Sequence, residues 1–130
     1  MARVALDADV VIAFLDPADG QHERAVRALR PRLAVGEEIL VGASVYAEVM
    51  MRPVQRGTHA TVDAFLEAIG ATVVAVDRAI ARRAAQLRAE HRSLRLPDAL
   101  SLATALVNEA ELLSLDNRLK RVAAQARPSM

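Results

Sequence analysis

A three-layer α/β domain with a short-stranded parallel sheet of four or five strands is the fold this sequence predicts, and three observations carry that prediction. Short runs rich in Val, Ile and Leu alternate with longer segments whose apolar residues recur every three to four positions, the pattern of strands joined by crossover helices. The 53% hydrophobic content is mostly Ala, Val and Leu, with only 2% aromatic residues, which suits helices on a sheet better than an all-β sandwich. At 130 residues the chain can bury roughly two thirds of its unfolded surface around a single core. Residues 1–130 are therefore expected to form one domain, and no repeat, linker or low-complexity segment interrupts them.

The elements follow in order. "RVAL", residues 3–6, reads as a short strand ending at Asp7, and "VVIAFL" opens a helix for which Asp9 is the expected N-cap. "DPADG" closes it. Ala25, Val26, Leu29 and Leu33 recur at helical spacing between Gln21 and Leu33. "EILVGA", 38–43, is a second strand, followed by the helix "SVYAEVMMR", with Ser44 as its cap and Pro53 as its expected end. Val62, Phe65, Leu66 and Ile69 stripe a further helix that Gly70 ends, and "ATVVAV" is a third strand. A helix runs from Asp77 to about His91, and Pro97 marks a first helical residue for "PDALSLATALVNEA". "ELLSL" then forms a fourth strand ending near Asp116, and "NRLKRVAAQA" the last helix.

Composition limits the function classes. Seventeen Lys and Arg nearly cancel sixteen Asp and Glu, so no overall positive field announces a nucleic-acid partner, although none is excluded. Without cysteine there is neither a disulfide nor a thiolate metal site. The opening stretch is too short and too charged to span a membrane, and no signal-peptide pattern precedes it. A cytoplasmic location without membrane association is expected.

The acids are the informative residues. In an open parallel sheet, sites form beyond the carboxyl ends of the strands. Asp7 ends the first strand, Glu48 lies on the first turns of the helix after the second, Asp98 stands at a helix start, and Asp116 ends the fourth strand. Each has a structural explanation when taken singly. Asp98 complements a helix dipole, Asp116 and Asp9 serve as caps, and Glu48 has Arg52 at i+4 for a surface ion pair. Only Asp7, at the end of a buried strand, resists one. Two carboxylates about 5 Å apart repel by roughly 3 kcal/mol at an effective dielectric of about 20, so four at one edge call for cations. Carboxylate oxygens suit Mg²⁺ or Mn²⁺, a chemistry matched to phosphodiester hydrolysis. His22, His59 and His91 read as surface residues.

On these residues the chain resembles the PIN-domain ribonucleases, and among them the VapC-type toxins of toxin–antitoxin pairs. The carriers of the resemblance are "VALDADVVIAFLD", "ASVYAEV", "PDALSLATAL" and "LLSLD", in that order along nearly the whole chain. It implies that Asp7, Glu48, Asp98 and Asp116 bind Mg²⁺ or Mn²⁺ for RNA cleavage. Ser114 matches the family's small hydroxyl residue before the last acid, and Thr104 a recurrent threonine on the third-acid helix. It also implies a homodimer, an RNA substrate and a small antitoxin whose C-terminal segment lies over the acidic site. The apolar faces of the first two helices are candidate docking surfaces for it. Two features depart from the family: Asp9 stands where Ser, Thr or Asn is usual, and the tail "AAQARPSM" lacks the apolar final strand.

Two rival readings remain at this level. "LDADVV" also fits the start of haloacid-dehalogenase-like phosphatases, with Asp7 as nucleophile and Asp9 as general acid. That fold needs a downstream lysine and a late acidic pair, whereas Lys120 is the only lysine and Asp98 and Asp116 are well separated. A non-catalytic PIN-like binding module is the other rival, but such a scaffold would be expected to have lost acids.

Overall fold

The computed structural model describes residues 2–126, and in it the expected alternation is realised with small shifts. The order is β1 (Arg3–Leu6), α1 (Ala8–Leu15), α2 (His22–Ala34), β2 (Glu38–Gly42), α3 (Ala43–Arg56), α4 (His59–Ala68), β3 (Thr72–Val74), α5 (Arg78–Glu90), α6 (Leu96–Val107), β4 (Glu111–Leu113) and α7 (Asn117–Gln125). The four strands pair in the order β3-β2-β1-β4. Every pairing is parallel, with Ala5 opposite Leu40 on one side and Leu112 on the other.

Alternation along the strands divides the core in two, because successive side chains point to opposite faces of a sheet. Val4, Leu6, Ile39 and Val41 pack against Val10, Val11, Leu29, Val45 and Leu66, which come from α1, α2, α3 and α4. Ala5 and Leu40 face the other way, onto Ala105 of α6. Ile80, Leu87, Leu102 and Leu119 complete that second half from α5, α6 and α7. Small residues on β1 and α6 let the helix lie close to the sheet.

This strand order sets the position of the site. β1 is flanked by β2 on one side and by β4 on the other, while α1 leaves β1 toward one face and α7 leaves β4 toward the opposite face. Between two such strands the connections diverge and a crevice opens at their carboxyl ends. Asp7 follows β1 there, its backbone N–H still bonded to the Leu113 carbonyl of β4 at 2.9 Å.

Several local expectations are corrected. The N-cap of α1 is Asp7, whose Oδ1 accepts from Ala8 N–H, so Asp9 is the second residue of the helix, in its first turn, and its side chain serves elsewhere. Gly42, not Ser44, occupies the N-cap of α3, and the Ser44 hydroxyl is buried without a hydrogen-bond partner among the described residues. Pro53 does not end α3. A proline forfeits one backbone donor near the C-terminus, and the helix runs on to Arg56, where Gly57 in the left-handed region (φ 72°) turns the chain and Thr58 N–H reaches the Pro53 carbonyl at 2.8 Å. Pro97 stands second in α6 after Leu96. His22 is half-buried rather than a surface group, its Nδ1 lying 2.7 Å from the Ala13 carbonyl. The strands at both sheet edges have only three residues each. The final-strand departure concerns residues 123–130, of which 127–130 lie outside the described residues.

No helix among the described residues is long and apolar enough to cross a membrane. Because an L-residue in the left-handed region is disfavoured by about 1 kcal/mol, Gly57→Ala is expected to lower stability by that amount, read as a lower urea midpoint with an unchanged slope.

Candidate functional site

Asp7 is 8% exposed and is held by donors from three parts of the chain. Its Oδ1 accepts from Ala8 N–H at 2.9 Å and from the Ser101 hydroxyl of α6 at 3.2 Å. Its Oδ2 accepts from the Ser114 hydroxyl, just after β4, at 2.9 Å. Burial raises its pKa above the ordinary aspartate value. The Ser114, Ala8 and Ser101 donors pull it back, while the Asp98 charge raises it further. Desolvation disfavours the charged form and hydrogen-bond donors favour it, and here burial dominates.

Ser114 connects three acids. Besides its bond to Asp7, its oxygen lies 3.4 Å from Asp9 Oδ2 and accepts from Asp116 N–H at 3.1 Å. A hydroxyl has one proton, and the shorter approach assigns it to Asp7. Asp9 Oδ2 takes its main donor, Leu115 N–H, at 3.1 Å. Asp9 Oδ1 is buried with no hydrogen-bond partner among the described residues. The Asp9 pKa is pushed up to about 6, first by burial and then by the Asp7 charge.

The remaining predicted residues fall unevenly around this centre. Asp98, in the first turn of α6, and Glu48, on α3, lie within electrostatic reach of Asp7 and of each other. The Glu48 carboxyl is raised by burial, then by Asp7 and Asp98, while Arg95 lowers it. Among the described residues the Glu48–Arg52 pair allowed by their spacing is not made; the acidic edge has instead an Arg95–Asp98 pair at 3.5 Å. Asp116 joins through its backbone, whereas its Oδ1 caps α7 by accepting from Arg118 and Leu119 N–H. Thr104 makes no hydrogen bond to the acids among the described residues. Its hydroxyl donates to the Leu100 carbonyl, and its side chain packs so closely on Gly42 that a Cβ there would stand 3.1 Å from Oγ1. Ser101, absent from the sequence-based set, is the α6 hydroxyl that reaches Asp7. Its position three residues after Asp98 puts it on the same helical face, a signal that was legible.

The donor set is all oxygen: carboxylates backed by serine hydroxyls. An orphaned carboxylate oxygen on Asp9 and three acids with raised pKa values mark a place short of positive charge. Among the described residues no three acidic or histidine side chains form a ready-made metal cage. Mg²⁺ binds through one or two carboxylates while keeping several waters, so this looser set fits it, and fits Zn²⁺, with its closed nitrogen and sulfur shell, poorly. Beside Glu48 runs a groove of about 620 Å³ lined by Ile12, Leu15, Val49, Met51 and Arg52 among others. Ile12 and Met51 are exposed in it, whereas the apolar face of α2, through Ala25 and Leu29, is spent in the core.

Two outcomes follow from this geometry. Ser114→Ala removes the one hydroxyl that, among the described residues, donates to Asp7 Oδ2, and is expected to lower stability at neutral pH by about 1–3 kcal/mol, measured by urea unfolding. For Asp9, the folded-state pKa lies above the unfolded value, so the folded chain holds a proton that the unfolded chain has lost. Stability therefore falls as pH rises from about 4 to 6, and the charge is destabilising at neutral pH. Asp9→Asn keeps the acceptor for Leu115 N–H and is expected to gain about 1 kcal/mol at pH 7 after solvent screening. Calorimetry is expected to read this as about 3–5 °C in Tm, shrinking toward zero at pH 4.

Solved structures with this fold include a toxin–antitoxin complex from Klebsiella pneumoniae, 23% identical with a TM-score of 0.70 over 88% of each chain. VapC20 of Mycobacterium tuberculosis, a toxin that cleaves the sarcin–ricin loop, is 16% identical with a TM-score of 0.72 over 96% of this chain and 99% of its own. FitAcB of Neisseria gonorrhoeae is 19% identical with a TM-score of 0.74 over 93% of each. At these identities the likeness is one of fold. No curated protein matches the chain in sequence. The PIN domain family model matches residues 4–125, and the chain belongs to the PIN domain family.

Proposed function

We propose that this protein is a Mg²⁺- or Mn²⁺-dependent endoribonuclease and the toxin of a type II toxin–antitoxin pair. The observation that carries the reading is the set of mutually coupled carboxylates, Asp7, Asp98 and Glu48, gathered at the β1/β4 crevice around a hydrogen-bonded Asp7. Asp7, Asp98, Glu48 and Asp116 are the residues that would hold the metal. When bound, Mg²⁺ or Mn²⁺ supplies water activation and stabilisation of charge developing on the phosphodiester.

The chain's own residues do the rest. Ser114 and Ser101 orient Asp7 and favour its charged form, against the burial that raises its pKa. Glu48 is the exposed member of the set, and its raised pKa makes it a better proton acceptor than an ordinary glutamate. It is suited to take the proton released from the attacking water. Asp9 adds negative charge beside Asp7 and tightens the demand for a cation. The groove next to Glu48, with Ile12 and Met51 exposed, suits the apolar segment of an antitoxin that would cover the site. A homodimer and a cytoplasmic location belong to the same reading.

The phosphatase alternative finds little support, since Lys120 is exposed on α7 and Asp9 is bonded into the β4 turn through Leu115. A non-catalytic module would not be expected to retain coupled acids.

Purified protein incubated with RNA is expected to cleave it in Mg²⁺ or Mn²⁺ and not in chelator. Asp7→Asn and Asp98→Asn are each expected to reduce the rate at least about a hundredfold, an effect of the size seen when an electrostatic partner of the transition state is lost. Metal-independent cleavage, full activity in both variants, or turnover of a small phosphomonoester in place of RNA would overturn the proposal.

A further inference from the structure

The segment joining α5 to α6 brings a guanidinium to the rim of the acidic edge. Arg88, near the end of α5, donates from Nε to the Leu94 carbonyl at 3.0 Å, and Arg118 of α7 donates from Nη2 to the Ser93 carbonyl. Leu94 is buried in the α5–α7 half of the core, and its N–H bonds the His91 carbonyl at 2.9 Å. Residues 91–94 are thus tied down from two helices and from below.

Arg95 follows as the N-cap residue of α6. Its carbonyl accepts from Ala99 N–H at 2.9 Å, which fixes the backbone. Its side chain is 76% exposed and its Nε stands 3.5 Å from Asp98 Oδ2. An ion pair this long and open contributes little to stability, so the fold does not need it. A site made of carboxylates, however, repels a polyanion, and an RNA phosphate approaching Asp98 and Glu48 needs a cation at the rim. A guanidinium that meets one carboxylate through one edge retains donors in a fork that matches phosphate.

We infer that Arg95 is a phosphate-binding residue of this site, held at its rim by the Arg88 and Arg118 anchors, neutralising Asp98 before substrate arrives and turning to an RNA backbone phosphate when it does. The inference rests on the nuclease reading and adds to it the side from which the RNA backbone enters.

Arg95→Ala and Arg95→Lys test it, because truncating so exposed a side chain leaves the backbone cap intact. Steady-state cleavage of an RNA oligonucleotide in Mg²⁺ is expected to show KM raised about tenfold in Arg95→Ala, the size of one lost charged hydrogen bond, with kcat little changed. The slope of log(kcat/KM) against log salt is expected to flatten by about 0.7, the value for one phosphate contact on a single strand. Arg95→Lys is expected to restore the slope and only part of KM. Calorimetric titration of Mn²⁺ into RNA-free protein is expected to show binding as tight or tighter in Arg95→Ala, since a like charge has left; a merely structural loss would weaken it. An unchanged KM and slope in Arg95→Ala, or Mn²⁺ binding weakened in step with KM, would overturn the inference while leaving the nuclease reading in place. A wild-type protein that cleaves no RNA with either metal would remove both.

Discussion

The Asp7 carboxylate is buried at the carboxyl end of the central strand β1 and remains tolerable there through donors from three elements: the Ala8 N–H on α1, the Ser101 hydroxyl on α6 and the Ser114 hydroxyl after β4. Each requires a piece of the fold to be in place. Ser114 arrives because β4 pairs beside β1, and Ser101 because α6 crosses the sheet closely enough to pack Ala105 against Ala5 and Leu40. Loss of Ser114 leaves Oδ2 without a donor among the described residues, a larger penalty than the gain from making the bond, and loss of Ser101 leaves Oδ1 with the Ala8 N–H alone. The polar centre and the two apolar half-cores are therefore interdependent.

Around that centre the charge balance is unfavourable. Burial raises Asp7, Asp9 and Glu48, and neighbouring carboxylates add to each shift. Groups perturbed by desolvation and by specific charged neighbours within a crevice cluster at functional sites, and this clustering supports the proposed reading of that edge. Ion pairs that do serve structure lie elsewhere: Arg3 with Glu38, and Arg32 with Glu37 and Glu111, tie together the amino-terminal edge of the sheet. The two edges divide labour, with complementary charges at one end of the strands and like charges at the other.

Much of this was legible in the linear order of residues, and the failures have identifiable causes. Strand and helix positions followed from periodicity because each half-core draws on a regular stripe, as Val62 and Leu66 of α4 illustrate. Caps were read less well. Asp7 and Asp9 are both acceptable N-caps by residue type, and only the path of the backbone made Asp7 the cap and freed Asp9 to accept from Leu115. Pro53 was expected to end α3, but it sits near the C-terminus, where one missing donor matters little. Thr104 and Ser101 stand one turn apart on the same side of α6, and the depth at which the helix meets the sheet, with Thr104 against Gly42 and Ala105 against Ala5, brings Ser101 and not Thr104 to Asp7.

By itself the sequence determined the α/β class, the parallel sheet and the identity of the acids that end its strands, because hydrophobic period and the position of charge within apolar runs are local properties. Only the tertiary structure decided which strands neighbour β1, and hence that Ser101, Ser114 and Asp9 meet at the Asp7 crevice. Those contacts span up to about a hundred residues of chain. They exist because burial of two apolar half-cores draws the ends of four strands together, and no local pattern encodes how distant side chains then meet.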